Sequence, residues 1–254
     1  GTSPSGDIVV TNATAIALGT SGVVTNAASG GNIDVTATTG NVTVGNTVST
    51  TGGGAIQLTA TAGNIAFATA NGTTGLSTSG NVTLNATAGR IVGNTNGNAS
   101  TTDVSATRLT INSQSGVGAA NALRTASVAN LTINNTGSGN VSLVNSGSAL
   151  NLDSTSVGSG NLSISNSTHI TQTGAIVMGT GSTASFNAGT TGDVTLSNAS
   201  NNFATVAIAL AGNAIVTDTD AVILGTSNVR ADLAVNASND TTNTDTITQA
   251  ANST

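Results

Sequence analysis

The sequence predicts an all-β fold, a parallel β-helix (β-solenoid) of about 20–26 residues per coil drawn out into an elongated rod. Three observations carry that prediction. First, one phrase keeps returning: a glycine, usually an asparagine, then apolar, small polar and apolar residues. It reads Gly31-Asn32-Ile33-Asp34-Val35, Gly40-Asn41-Val42-Thr43-Val44, Gly54-Ala55-Ile56-Gln57-Leu58, Gly63-Asn64-Ile65-Ala66-Phe67, Gly80-Asn81-Val82-Thr83-Leu84 and Gly89-Arg90-Ile91-Val92. Second, these phrases fall in pairs, nine residues apart within a pair and 23 to 26 residues from one pair to the next, which is the mark of a coil of fixed circumference. Third, the composition opposes helix: Lys and Glu are absent, and Val, Ile, Thr, Asn, Ser and Gly dominate.

Before these phrases, Gly6-Asp7-Ile8-Val9-Val10, Ala15-Ile16-Ala17-Leu18 and Val23-Val24 are short alternating runs bounded by turn formers, the signal of short strands. Glycine and asparagine between them supply positive-φ or otherwise tight corners. A coil fits better than a hairpin, because Gly precedes Asn here and no two-residue Asn-Gly turn joins adjacent strands. Stacked in parallel, Ile33, Ile56 and Val82 form one inner apolar ladder and Val42, Ile65 and Ile91 a second, while Asn41, Asn64 and Arg90 pile up at one corner. About eleven coils at ~4.8 Å each give a rod of roughly 50 Å.

After Ile91 a polar stretch, Gly93-Asn94-Thr95-Asn96-Gly97-Asn98-Ala99-Ser100, reads as a loop excursion over about 93–103. Strands resume at Arg108-Leu109-Thr110-Ile111 and Asn130-Leu131-Thr132-Ile133, 22 residues apart. They continue through Gly139-Asn140-Val141, Leu150-Asn151-Leu152, Gly160-Asn161-Leu162, Ile170, Ile176, Val194, Val206, Ile215 and Val222. No composition shift marks a linker, so residues 1–254 read as one continuous repeat segment. Residues 10 to 23 return at 216 to 229 with eight identities in fourteen, and Ile170-Thr171-Gln172 returns as Ile247-Thr248-Gln249. The expectation is a length cut from a longer array, with copies able to associate end to end or laterally through strand edges.

From Val104 to Leu152, with SGVGAANALRTASVANLTINNTGSGNVSLVNSGSALNL, the chain resembles the shaft repeats of large bacterial exoproteins related to filamentous haemagglutinin. The later runs ITQTGAIVMGTGSTASFNAGTTGDVTLSNASNNF and VTDTDAVILGTSNVRADLAVNAS are similar to shaft repeats of the same proteins. The resemblance implies a right-handed parallel β-helix, secreted by a two-partner pathway and displayed on the bacterial cell surface as an adhesin stalk. A host or cell-surface glycan or protein would then be met by the full-length protein. The export module of that family carries Asn-Pro motifs; the sole proline here is Pro4, preceded by Ser3, so the chain reads as shaft.

The composition excludes several functions. A net charge of −6 with four arginines does not fit a nucleic-acid partner, which needs clustered bases. No apolar run reaches the ~20 residues of a membrane-spanning helix. Without cysteine there are no disulfides and no thiolate metal sites. His169, the sole histidine, has no nucleophile or further ligand beside it in Ser167-Thr168-His169-Ile170-Thr171 and reads as a surface or corner residue. Asp218 and Asp220, two apart on one strand approach, could share a face as a carboxylate pair, with Asp232, Asp240 and Asp245 following and Arg230 as the available base. Set against that, scattered acids keep an almost uncharged rod soluble, and no dense calcium-ligand cluster is written.

Thr36-Ala37-Thr38, Thr59-Ala60-Thr61 and Asn85-Ala86-Thr87 would stack into a flat hydroxyl array over about three coils. Three functions remain in view. The leading one is a non-catalytic structural shaft, with no catalytic, cofactor or metal residue assigned. A binding module using the Thr/Asn face for glycan, ice or self-association is the alternative, and a carbohydrate-active β-helix enzyme is the third.

Overall fold

The computed structural model describes every residue except 1, 4–5, 20, 26–29, 71, 96–100, 119, 238–245 and 251–254. All its regular elements are strands, and every strand pairing is parallel. The chain winds as an elongated β-solenoid of about ten turns. Two long sheets run its length. Sheet I stacks Ile8–Asn12, Ile33–Ala37, Ile56–Ala60, Asn81–Ala86, Arg108–Ser113, Asn130–Ser138 and Leu150–Ser159, and continues to Leu233–Ala237. Sheet II runs from Thr2–Ser3 through Val48–Thr50, Leu123–Ala126 and Val141–Ser146 to Ile247–Gln249. A third sheet holds only Ile16–Leu18, Val42–Val44, Ile65–Phe67 and Ile91–Val92.

All six Gly-led phrases open strands, the first of each pair in sheet I and the second in sheet III. Ile33 pairs with Ile56 and Ile56 with Val82; Val42 pairs with Ile65 and Ile65 with Ile91. Both inner ladders are therefore in the expected register. Ile33–Ala37 and Ile56–Ala60 bury every second residue, so Ile, Val, Leu and Ala fill the interior while Asp34, Thr36, Gln57 and Thr59 point out. The core is almost wholly aliphatic, yet the three phenylalanines all lie inside it. Phe186 and Phe203 meet edge to face with centroids 6.4 Å apart.

The phrase glycines answer a constraint other than positive φ. A Cβ on Gly54 would lie 2.2 Å from the carbonyl oxygen of Gly31 one coil back, and one on Gly63 would lie 2.2 Å from that of Gly40. Neither glycine has a positive φ; before Gly54 the left-handed corner residue is Gly53, with φ 83°, whereas Ala62 before Gly63 is not left-handed. Coils stack too closely along the axis at this corner for any side chain.

Coil length varies more than the phrases foretell. Along sheet I, Ile8, Ile33, Ile56, Val82 and Leu109 pair in turn at steps of 25, 23, 26 and 27 residues. Leu109 to Leu131, Leu131 to Leu152 and Leu150 to Ile170 are steps of 22, 21 and 20. The shortening coincides with the loss of sheet III. Its line passes from Ile91 by single bridges to Val117 and Val141, and Val141–Ser146 then also carries the sheet II position, since Leu143 pairs with Leu123. One strand, Val141–Ser146, takes the place of two, such as Ile65–Phe67 and Leu76–Ser77.

The expected excursion over 93–103 lies across this change. Residues 96–100 fall outside the described set, but both flanks are packed: the Asn94 amide donates to Thr69 O and Thr69 Oγ1 at 3.0 and 2.9 Å, and Thr101 and Asp103 are buried.

Candidate functional site

Four places carry polar or titratable side chains in an ordered arrangement. The outer corner comes first, because it absorbs His169. Asn41 Oδ1 accepts the Asn64 N–H at 2.8 Å, and Asn64 Oδ1 accepts the Arg90 N–H at 3.0 Å, so each side chain caps the next coil's backbone. The same device recurs as Asp7, Asn32 and Ala55, and as Asn140, Asn161 and Thr183. His169 heads another such file: its Nδ1 accepts the Asp193 N–H at 3.0 Å, Asp193 Oδ1 accepts from Asn213, and Asn213 Oδ1 from Asp232. An accepting Nδ1 puts the proton of the neutral ring on Nε2. The histidine is a corner residue, and Asp232 is the last rung of its file among the described residues. Hydrogen bonds from the Asn213 backbone and amide, with a smaller contribution from His169, hold the Asp193 carboxyl below the usual range.

The second place is the outer face of sheet I. Thr11, Thr36, Thr59, Asn85, Asn112, Asn134 and Ser156 form one row through seven coils. Asn85 Nδ2 donates to Thr59 Oγ1 at 3.3 Å and Asn112 Nδ2 to Asn85 Oδ1 at 2.8 Å. Threonine itself ends after Thr59, as the sequence indicates, but asparagine continues the row, which a search for Thr-x-Thr misses. A shallow groove of about 270 Å³ runs between Asn85, Asn112, Asn134 and Thr136, with no charged side chain in its lining.

The third place holds the acid pair. Asp218 is fully buried at the end of Ala214–Asp218, where its carboxylate accepts the N–H groups of Phe203 and Thr219. Burial, only partly offset by those bonds, pushes its carboxyl up to about 6. Asp220 is exposed. One acid caps backbone inside and the other meets solvent, so they do not present the common face that the spacing allows. Arg230 is exposed, while Asp240 and Asp245 lie outside the described residues. Among the described residues no three of His, Cys, Asp and Glu gather as metal ligands.

Inside the coil lies the fourth place, a set of buried amides. Asn145 Oδ1 accepts from Thr125 Oγ1 at 2.8 Å, and its Nδ2 donates to Val128 O and Asn166 Oδ1 at 3.1 and 3.0 Å. Asn166 Nδ2 in turn reaches Ser148 O and His169 O. Asn201, also buried, accepts the Ile176 N–H and donates to Thr217 O. Nothing here is exposed to a substrate; the amides close corners whose carbonyls turn inward.

Residues 138–209 match a family model described as repeats of unknown function (DUF5649). The matched stretch begins at the end of Asn130–Ser138 and takes in the two-sided coils, the inner amides Asn145 and Asn166, and His169. It is similar to that family as a repeat, in keeping with the solenoid around it. No curated protein and no solved structure matches the chain. Among the described residues no helix is long and apolar enough to cross a membrane.

Proposed function

We propose that the chain is a non-catalytic structural shaft, a segment of a secreted or cell-surface bacterial exoprotein of the filamentous haemagglutinin-like, two-partner-secreted kind. The observation that supports it best is the use to which polar side chains are put. His169, Asp193 and the corner asparagines bond the backbone of the next coil, and Asn145, Asn166 and Asp218 bond backbone inside. Polar chemistry of this kind stiffens a stack, and each added coil adds length and one more buried ladder. The resemblance of the Val104 to Leu152 segment to adhesin shafts supplies the bacterial surface setting.

Antibodies raised against the chain should label intact cells of the bacterium that makes it; labelling only after permeabilisation would overturn the location. Negative-stain images should show rods, and compact spheres would overturn the shaft. Turnover of acidic or neutral polysaccharides that disappears in the double variant Asp218→Ala, Asp220→Ala would overturn the non-catalytic reading.

A second reading rests on the Thr/Asn row of sheet I. An uncharged row of amides and hydroxyls repeating once per coil suits neutral glycans. A glycan array would give signal with the chain and none with Asn112→Ala if this face binds sugar; a silent array removes the reading.

A further inference from the structure

Away from the first and last coils, the described residues expose three large aliphatic side chains, Val177, Ile215 and Ile223, at 44%, 42% and 40%. Val177 and Ile223 open onto the same groove, about 630 Å³ in volume, with Met178 and Phe203 forming its floor and Asp220 its rim.

The groove arises from a local change in stacking. Ile176–Met178 pairs with Leu150–Ser159 on one side. On the other it meets the next coil at a single bridge, where Met178 N–H donates to Asn202 O at 2.9 Å and Asn202 N–H to Ile176 O at 2.8 Å. One coil further on, no backbone carbonyl takes the Phe203 N–H, and the Asp218 carboxylate accepts it instead. The chain from Thr219 to Ala221 then leads into Val222–Leu224 of sheet II without forming a strand. Val177 and Ile223, two coils apart, are left facing solvent across the gap.

We propose that this groove docks a peptide segment of a partner protein in which an aliphatic side chain lies beside an arginine or lysine. The aliphatic group would cover Val177 and Ile223, removing apolar surface from water at a spot that the described residues leave uncovered. The cation would meet Asp220, the charged residue of the lining, in a chain whose net charge is −6 and whose groove contains no basic residue. Gly179, Ala204 and Ala221 leave room for a main chain to approach, and Thr180, Asn202 and Thr205 add polar groups at its edge. An open trough with that lining suits an extended segment better than a compact small molecule.

Fluorescence anisotropy of the whole chain with a fluorescein-labelled hexapeptide alternating leucine and arginine tests this directly. Two control peptides replace arginine by glutamate or leucine by serine. Saturable binding of the leucine–arginine peptide is expected, weakened at least fivefold by Asp220→Asn and at least tenfold by Ile223→Ser, and falling as salt is raised. Equal binding of the glutamate peptide would remove the charge argument, and equal binding of the serine peptide would reduce the effect to general attraction to an acidic rod. Unchanged affinity in both variants, or no binding by any peptide, would overturn the proposal. Sedimentation of the unmodified chain as a dimer that Ile223→Ser dissociates would assign the groove to a second copy instead. Val177→Ser provides an independent variant should Ile223→Ser alter the thermal melt.

Discussion

Between Ile8 and Val92 the solenoid has three sides, whereas between Asn130 and Ile170 it has two, and the contrast shows what sets the circumference. The apolar ladders are alike in both regions, so the core does not decide it. The corner between sheets II and I does. In the wide coils Thr25, Thr50 and Thr78 sit at that corner and donate their hydroxyls to Gly31 O or Gly54 O. In the narrow coils the inner file that runs Val48, Leu76, Val104 continues as Thr125, Asn145 and Asn166. A longer, two-ended amide at that position bonds its neighbour in the file and a carbonyl at the corner of the preceding coil, so the coil closes with fewer residues. Asp103, beside Val104, stands where one regime gives way to the other.

The largest test of this contrast removes one corner side chain from each region. Asn145→Ala leaves Thr125 Oγ1, Val128 O and Asn166 Oδ1 each short of a buried partner, and about 3–5 kcal/mol should be lost. Thr50→Val should cost only about 1 kcal/mol, because Gly54 O keeps the Thr78 hydroxyl at 2.6 Å. Urea unfolding midpoints of the two variants would decide it; equal losses would mean that the amides do not close the narrow coils.

The axial glycines sharpen the wide region next. Gly54→Ala drives a Cβ into a backbone oxygen that no rotamer can move, so a loss toward the upper end of roughly 1–3 kcal/mol is expected. Gly19 has no atom within 4 Å of an added Cβ and no positive φ, and Gly19→Ala should stay within about 0.5 kcal/mol of the parent or stabilise slightly. Comparable melting losses for both would refute the axial argument.

These features differ in how far they could be read from the sequence. Sheets I and III were legible because the phrases that open their strands also carry the glycines and asparagines that the stacking requires. Sheet II was legible only in part: Val23-Val24 stands out as a short run and Gly139-Asn140 and Gly160-Asn161 open two of its later strands, but Val48-Ser49-Thr50 and Leu76-Ser77 follow no such phrase, and the corners there are closed by threonines that look like any others. Asn145 was legible in principle: in Val141-Ser142-Leu143-Val144-Asn145 it shares the parity of two buried apolar residues. The parity of Ile176-Val177-Met178 likewise turns Val177 outward. Asp103 was not, because Asp103 and Val104 are adjacent and both buried, so alternation fails at that corner. Nor was the bulge that inserts Asp153 between the pairs Leu131–Leu152 and Thr132–Ser154 and lets it reach Arg108 two coils back.

At the boundary itself the expected signature is a pH dependence. Burial pushes the Asp103 carboxyl from 3.8 up to about 6, against smaller opposing contributions from the Arg124 and Asn94 backbones and the Arg124 charge. Its Oδ2 accepts the Arg124 N–H at 2.9 Å. A raised carboxyl stabilises the fold fully below the unfolded value and loses that contribution as pH rises through 6. Acidification from about pH 7.5 to 5 should therefore add about 1 kcal/mol from this group alone, with Asp218 acting in the same direction. Asp193, whose carboxyl is lowered, weakens the fold only under more acidic conditions than this window. In Asp103→Asn the rise in melting temperature over the window should shrink, and an unchanged slope would show that the boundary carboxylate does not titrate there.

The smallest expected effect separates the outer corner from the inner one. His169 uses a single acceptor, Nδ1, on the Asp193 N–H, and its ring is half exposed. Asparagine does the same task at Asn41 and Asn64 with its Oδ1. His169→Asn should therefore leave stability within about 0.5 kcal/mol of the parent, and His169→Ala should cost no more than about 1 kcal/mol because water can take the freed N–H. That places the outer file well below Asn145, whose partners have no water to turn to. A loss in His169→Asn as large as that in Asn145→Ala would mean that the two-sided coils are held from outside, by their corners in solvent, and that the buried amides follow a circumference already fixed.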